Sequence, residues 1–149
     1  MECSPQSTKL KRTKRPEVWH SVYEEMTFSE RQVADYLQEL ELWWFYESPV
    51  FLEDERGRPR VWTPDFYIPK LGIYVEVCGS ESLHEQYQYR EKIYKMNNYS
   101  VVFLHLYKER AEWKSFLLER IIQLENSRFV DMTKIQLRLK GIIGPRISS

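Results

Sequence analysis

Residues 63–79, "TPDFYIPKLGIYVEVCG", decide the fold. Two runs of aromatic and β-branched residues flank a short segment, residues 69–72, whose proline and glycine favour a tight turn. The pattern predicts two strands joined by that turn. Because side chains alternate along a strand, one face of the second strand is expected to carry Tyr74, Glu76 and Cys78, and the other face three aliphatic side chains.

Two carboxylates, Asp65 and Glu76, fall in these apolar strands. Glu76 stands between Val75 and Val77, and an ionised carboxylate is rarely buried without a partner, because its desolvation is costly. A divalent cation such as Mg²⁺, which prefers oxygen ligands, is one such partner. Successive strands could bring both acids to one ion, and Pro64, which lacks an amide hydrogen, would end regular pairing beside Asp65. The alternative is a solvated sheet edge with ordinary surface acids.

The segment before these strands contains a helix start signal. Thr27 and Glu30 have the spacing of a capping box, and apolar residues recur behind them at helical intervals. The pattern predicts a helix over residues 28–42. Glu30 points in the direction of the apolar positions, so its side chain is expected on the core-facing side of the first turn.

The remaining pattern predicts an α/β domain. Residues 43–53 and 61–68 are typical of strands, which with residues 73–79 would form an antiparallel meander. A second helix at residues 82–98, a strand buried on both faces at residues 99–107 and a third helix at residues 111–125 follow. Residues 132–143 alternate apolar and polar side chains, which favours an edge strand or an arm exchanged with a partner chain. The order indicates a mixed sheet flanked by helices.

Length and charge restrict the function classes. The chain has 149 residues, which suits one domain, and its 22 basic and 22 acidic residues give zero net charge. Attraction to nucleic acid must therefore come from local basic patches or a bound metal. We expect a flexible basic arm at residues 1–16, a main domain at residues 17–128 and a C-terminal extension at residues 129–149. The arm is either a solubilising tail or a set of phosphate contacts, namely Lys9, Lys11, Arg12, Lys14 and Arg15.

The sequence also predicts a location. No apolar run is long enough to span a bilayer, and the N-terminus lacks the apolar region of a secretory signal. Two cysteines, Cys3 and Cys78, do not suggest a disulfide framework. These features predict a soluble protein of a reducing intracellular compartment, cytoplasmic or associated with a nucleoid or nucleus, without membrane contact.

The quoted stretch resembles the core signature of the PD-(D/E)XK nuclease superfamily, in which Pro-Asp is followed on the next strand by an acid, one variable residue and usually a lysine. "YESPV" at residues 46–50 is similar to the tyrosine-glutamate-proline segment of phage-type junction resolvases and very-short-patch repair endonucleases. The resemblance covers residues 28–106. It implies a restriction-endonuclease-like αβββαβ core with a mixed central sheet, and a metal-dependent DNA endonuclease activity.

Carried over residue by residue, the resemblance makes Asp65, Glu76 and the backbone carbonyl of Val77 ligands of Mg²⁺, with Mn²⁺ as a substitute. Glu30 would be the accessory acid that helps to hold the attacking water or a second ion; its alternative role is the capping box. Double-stranded or branched DNA would be the substrate, in recombination or repair. A domain this small is expected to act as a homodimer.

Cys78 occupies the position of the superfamily's lysine, and a thiol cannot supply lysine's positive charge. Arg90 lies near the centre of the apolar face of the second predicted helix, and together with Gln86 it is the candidate replacement. The alternative is that Arg90 extends past the helix to water. Cys78 itself is expected to be a small strand filler. His84 and His105 are expected to be structural, although His84 could reach a phosphate.

Three arginines, Arg56, Arg58 and Arg60, lie in the turn before the quoted stretch and are either a clamp for a DNA backbone or a solvated turn. The leading hypothesis is a Mg²⁺-dependent endodeoxyribonuclease. The alternative is a catalytically degenerate nuclease fold that serves as a DNA-binding or assembly subunit, with Cys78 as the sign of lost catalysis. RNA as a substrate has no support from an aromatic-glycine RNA-binding signature.

Overall fold

The computed structural model describes residues 21–108 and 111–145. Within these residues the chain forms three α-helices and six β-strands, with short 3₁₀ turns at Val22–Glu24 and Glu81–Leu83. In chain order the elements are α1 (Phe28–Glu39), β1 (Phe45–Tyr46), β2 (Val50–Glu53), β3 (Pro59–Trp62), β4 (Phe66–Ile68), β5 (Ile73–Cys78), α2 (His84–Met96), β6 (Val101–His105) and α3 (Trp113–Leu139).

The main sheet has four strands in the order β1-β4-β5-β6. β4 pairs antiparallel with β1 and with β5, and β6 pairs parallel with β5 after the crossover through α2. The predicted mixed α/β fold is therefore confirmed, because α1, these four strands and α2 follow the order αβββαβ. Strands β2 and β3 form a separate antiparallel hairpin, inserted between the first two strands of the main sheet.

The predicted three-stranded meander is wrong in its first two strands, each of which the structure divides between two sheets. Residues 43–53 break after β1, where Glu47 has a positive φ of 52° and Pro49 follows. A positive φ is uncommon outside glycine and turns the chain out of the extended conformation. Residues 61–68 break at Thr63 and Pro64, and proline has no amide hydrogen for a ladder bond. β3 therefore stays in the hairpin while β4 enters the main sheet.

Two hydrophobic clusters lie on opposite faces of the main sheet. The first joins α1 and α3 to the sheet and includes Leu37, Val75 and Leu117. The second joins α2 and the hairpin to the sheet and includes Leu52 and Ile93. β5 contributes to both clusters because its side chains alternate, as predicted. The result is a three-layer arrangement in which α2 and the hairpin cover one face of β5.

Helix α1 begins at the predicted capping box. The Thr27 side chain accepts from the Glu30 amide, and the Glu30 carboxylate accepts from the Thr27 amide at 2.8 Å. The helix ends at Glu39 rather than at the predicted residue 42, since Glu41 adopts a positive φ of 57°.

Helix α3 runs to Leu139, so the edge strand predicted at residues 132–143 is wrong. The apolar residues of this segment recur at helical spacing as well as at alternate positions, and the residues between them are good helix formers. Arg128 anchors the middle of the helix by donating to the Gly72 carbonyl at 2.6 Å. The helix continues unbroken across residue 128, where the main domain was expected to end. Among the described residues, no helix combines the length and apolar character that crossing a membrane requires.

Candidate functional site

Asp65 and Glu76 meet on the face of the main sheet that α2 covers. One step beyond the paired residues Phe66 and Val75, the two acids stand opposite each other. Side chains at opposite positions of an antiparallel pair lie about 5 Å apart. The next pair on this face, Tyr67 and Tyr74, stacks with ring centroids 4.5 Å apart. The two strands therefore bring both carboxyl groups to one place.

Helix α2 supplies the partners of Glu76. Arg90 donates through Nη2 to Glu76 Oε1 at 2.6 Å, and the Tyr94 hydroxyl donates to the same oxygen at 3.1 Å. The Arg90 guanidinium also packs over the Trp62 ring, 5.4 Å from its centroid. Arg90 thus turns inward to the carboxylate rather than past the helix to water, with 31% of its side chain exposed. The sequence reasoning missed Tyr94, although it lies one helical turn after Arg90 on the same face.

Burial, and after it the negative charge of neighbouring acids, raises the pKa values of both acids. For Asp65, burial is the larger cause; the Val77 amide opposes it and the charge of Glu30 adds to it. For Glu76, burial again comes first and the charge of Asp65 second, and Arg90 offsets them only in part. One guanidinium thus serves two carboxyl groups, buried Glu76 and half-buried Asp65, an arrangement that a further cation would stabilise.

The backbone at Val77 departs from an ordinary strand ladder. Its amide donates to Asp65 Oδ2 at 2.7 Å. Continuing the β4–β5 register places Pro64 opposite Val77, and proline cannot donate to the Val77 carbonyl. The proline thus removes the ladder donor from a carbonyl that adjoins Glu76 in the chain. This oxygen is suited to act as a third ligand beside the two carboxylates.

Cys78 is fully buried in the cluster that α2 and the hairpin form on the sheet. Burial, followed by the charges of Glu76 and Asp65, raises the pKa of the thiol, so it stays protonated at neutral pH. Cys78 therefore fills space in β5 and supplies neither a thiolate nor a positive charge.

Glu30 belongs to the capping box and lies within electrostatic range of the acid pair. Its Oε2 accepts from the Thr27 amide and, at 3.0 Å, from the Tyr46 hydroxyl. Its charge contributes to the raised pKa of Asp65. Tyr46 comes from the YESPV segment, and the sequence reasoning did not connect it with Glu30, because the contact joins a helix to a strand.

An open groove of about 560 Å³ runs between β3 and α2 and reaches Arg90. Its lining includes Trp62, Thr63, Gln86 and Tyr89. Gln86 is exposed and lies beside Arg90 on the groove wall. A ligand in this groove would meet Arg90 and Gln86 together.

Asp54, which the sequence reasoning did not single out, organises the three arginines of the turn. Its Oδ1 accepts from the Arg56 and Arg58 amides at 2.9 and 3.0 Å. Its Oδ2 accepts from Nε of Arg58 and of Arg60 at 2.8 and 3.2 Å. Burial tends to raise the pKa of this carboxyl, but the hydrogen bonds outweigh it and lower the pKa to about 2. The arginine turn is therefore held in one conformation, with the side chains of Arg58 and Arg60 about half exposed.

Asn97, at the C-terminal end of α2, fixes the hairpin against that helix. Its Oδ1 accepts from the Glu53 amide at 2.9 Å, and its Nδ2 donates to the carbonyls of Glu53 at 2.8 Å and Ile93 at 2.9 Å. The Tyr99 hydroxyl adds a hydrogen bond to the Phe51 carbonyl at 2.8 Å. These contacts set the position of the hairpin, and with it one wall of the groove.

The two histidines stand apart from the acid pair. His84 and His105 each place Nδ1 2.9 Å from the Tyr107 hydroxyl, so both have partners in a cluster of their own, which supports the structural role expected of them. The phosphate contacts predicted in the N-terminal arm, namely Lys9, Lys11, Arg12, Lys14 and Arg15, lie outside the described residues.

The donor set suits a cation that takes few protein ligands. Asp65, Glu76 and the Val77 carbonyl present hard oxygen atoms, and Mg²⁺ is commonly bound by one or two carboxylates with the remaining positions filled by water and phosphate. Across residues 21–108 and 111–145, no three or more His, Cys, Asp or Glu side chains form a group that could hold a metal by themselves. Binding would therefore depend on the two carboxylates, the backbone carbonyl and oxygens from outside the chain.

No protein-family model and no curated protein matches the chain. Among solved structures, the chain is similar to the catalytic domain of the homing endonuclease I-Bth0305I, with a TM-score of 0.45 and 18% sequence identity. The similarity covers 66% of this chain and 98% of that domain. A similarity of this degree does not assign the chain to a family.

Proposed function

We propose that this chain is a metal-dependent DNA endonuclease that hydrolyses phosphodiester bonds. The observation that carries the proposal is the pair of carboxyl groups, half-buried Asp65 and buried Glu76, set opposite each other beside an open groove, with Arg90 as the cation 2.6 Å from Glu76. Burial raises the pKa of each acid, and a bound divalent cation would stabilise the ionised form of both.

Asp65, Glu76 and the Val77 carbonyl would hold Mg²⁺, or Mn²⁺ in its place. Such an ion supplies Lewis acidity toward the phosphate and lowers the pKa of water. Arg90 takes the role of the absent lysine: its guanidinium, on the groove wall, pairs with phosphate oxygens as negative charge develops on them.

Two further side chains would orient the reacting groups. Gln86 stands at the groove beside Arg90 and can donate a hydrogen bond to the phosphate or accept one from the attacking water. Glu30, held by Thr27 and Tyr46, adds negative charge next to Asp65 and would act as the accessory acid.

DNA, double-stranded or branched, is the proposed substrate, and recombination or repair the proposed setting, within the cell. The chain has zero net charge, so its attraction to DNA would come from local patches. The arginine turn is one such patch, and Asp54 holds Arg58 and Arg60 there with their side chains about half exposed. Two copies would place two sites against two strands, as expected of a homodimer.

Cleavage of linear and branched DNA in the presence of Mg²⁺ tests the proposal. Glu76→Gln and Asp65→Asn should each reduce the rate by at least about a hundredfold, because either change removes a ligand and a charge at the reacting centre. Glu119→Gln is the matched control, since this exposed glutamate lies on α3, against the other face of the sheet. Undiminished cleavage by Glu76→Gln would contradict the assignment.

A catalytically degenerate DNA-binding or assembly subunit is the second candidate, and one contact favours it. Arg90 is already bonded to Glu76, where a bound cation would compete with it, and buried Cys78 replaces the lysine. Calorimetry with Mn²⁺ separates the two candidates. The nuclease should bind the ion with a heat that Asp65→Asn abolishes, whereas the degenerate subunit should show no binding that depends on Asp65.

A further inference from the structure

The outer side of helix α3 carries a regular row of exposed apolar residues. Their exposed fractions are 39% at Leu118, 51% at Ile122, 74% at Phe129, 55% at Met132 and 83% at Leu139. Large apolar side chains this exposed, in a row along one helix, mark a surface that another molecule covers. We call this row, together with the two polar positions that complete its spacing, the α3 seam; its seven positions are 118, 122, 125, 129, 132, 136 and 139.

The spacing of the α3 seam identifies the kind of partner that fits it. The positions are separated by alternating steps of four and three residues, the seven-residue repeat of a two-helix coiled coil. The seam is distinct from the stripe that packs on the sheet: Leu117 and Ile121 are buried, and Leu118 and Ile122 follow them about 100° further around the helix. The seam from 118 to 139 is about 32 Å long at 1.5 Å per residue, so its partner is another long helix.

Two seam positions are polar, and they decide how two copies would pair. Glu125 and Gln136 interrupt an otherwise apolar row. In a parallel, in-register pair Glu125 would face the same carboxylate of the other copy, which is repulsive. In an antiparallel pair with its two-fold axis between residues 130 and 131, Glu125 faces Gln136, whose amide can donate to the carboxylate.

The same antiparallel register matches the apolar positions from 122 to 139 with apolar ones, whereas Leu118 lies beyond the paired stretch because its counterpart would fall past the end of α3 at Leu139. Phe129 faces Met132 of the other copy, and Ile122 faces Leu139. An identical helix is therefore complementary to the seam in both its apolar and its polar positions, and each contact occurs twice by symmetry. We propose that two copies of this chain associate through their α3 seams in this antiparallel register.

Sedimentation equilibrium over about a hundredfold range of protein concentration, in the micromolar range typical of small interfaces, tests the association. The unaltered chain should change from monomer to dimer within this range, and Phe129→Glu should raise the dissociation constant by at least about a hundredfold. Val130→Glu is the matched control, because Val130 is also exposed but lies about 100° from Phe129, off the seam. Circular dichroism verifies that both variants keep the fold. A monomer at all concentrations, or unchanged dimerisation of Phe129→Glu, would overturn the proposal.

A crosslinking experiment tests the orientation. Ile122→Cys and Leu139→Cys are made separately in a Cys3→Ser background; Cys78 is fully buried and does not compete. A short bis-maleimide should join the two variants when they are mixed and should leave each variant alone uncrosslinked. In the antiparallel register the two copies of residue 122 lie about 25 Å apart, since 17 residues separate positions 122 and 139. Efficient crosslinking of either variant with itself would refute the antiparallel register. Neither measurement contains DNA or metal, so its result is independent of nuclease activity.

Discussion

Replacement of Glu76 by glutamine should make the metal-free protein more stable. The Glu76 side chain is 5% exposed and faces the carboxyl group of Asp65 across the strand pair. Glutamine keeps an oxygen that can accept from Arg90 and from Tyr94, and its amide can donate to Asp65. The substitution therefore retains the contacts of the side chain and removes the repulsion between a buried and a half-buried carboxylate.

The size of the gain follows from two opposing contributions. The hydrogen bonds from Arg90 and Tyr94 become weaker when their acceptor is neutral, at a cost of about 1 kcal/mol each. Against this, the folded chain no longer carries the desolvation penalty of one ionised carboxylate, which is on the order of several kcal/mol. Because Arg90 is about one-third exposed, water partly screens its interaction with Glu76, and low values apply to both contributions. We expect Glu76→Gln to raise the free energy of unfolding by roughly 1 to 3 kcal/mol.

The pH dependence has a definite sign. The pKa of Glu76 is raised by folding, so its ionisation costs the folded state free energy that the unfolded chain does not lose. This cost is complete above the folded pKa and absent below the ordinary pKa of a glutamate. The advantage of Glu76→Gln should therefore be largest near ~pH 8 and disappear near ~pH 4.

Urea unfolding with a chelator present, at both pH values, measures these differences. A destabilisation of Glu76→Gln by more than about 1 kcal/mol near ~pH 8 would refute the reasoning. It would mean that the carboxylate is a net-stabilising partner of Arg90, and that burial of the acid pair gives the folded chain no excess negative charge for a cation to relieve.

Two further predictions concern the elements around the groove. Asp54→Asn should lower the free energy of unfolding at neutral pH. The difference from the unaltered chain should shrink as the pH falls from about 4 toward 2, because Asp54, whose pKa is lowered, stabilises the fold only while it is ionised. Urea unfolding measures this difference, and a constant difference over this pH range would contradict the prediction. Asn97→Ala removes two hydrogen bonds between α2 and the hairpin and one to the Ile93 carbonyl within α2, and should cost about 1 to 3 kcal/mol. Hydrogen exchange should show faster exchange of the Glu53 amide in this variant, and unchanged exchange there would refute the anchoring role.

The order of the elements was predictable because its signals are local. A capping box starts α1 at Thr27, alternation divides the side chains of β5 between two faces, and the apolar run of β6 marks a strand buried on both sides. Each of these signals acts between residues a few positions apart, where backbone geometry sets the spacing. The position of Asp65 and Glu76 on successive strands, and of Arg90 on the inner face of the next helix, was predictable for the same reason.

The division of strands between two sheets was not predictable in this way. Residues 43–53 and 61–68 have strand character throughout, and only their pairing partners show that β2 and β3 leave the main sheet. The tail at residues 132–143 was mistaken for a strand because its apolar residues satisfy both periods. Helix α3 continues there, and Arg128 connects it to Gly72, 56 residues earlier in the chain.

The sequence by itself determined the order of helices and strands and the presence of two acids and an arginine on facing elements. Only the tertiary structure decided that Arg90 and Tyr94 share one oxygen of Glu76, that Tyr46 holds Glu30, and that Asp54 organises the arginine turn. The physical reason is distance along the chain. Periodicity reports which way a side chain points from its own element, whereas a hydrogen bond between elements depends on how whole layers pack, which no local pattern encodes.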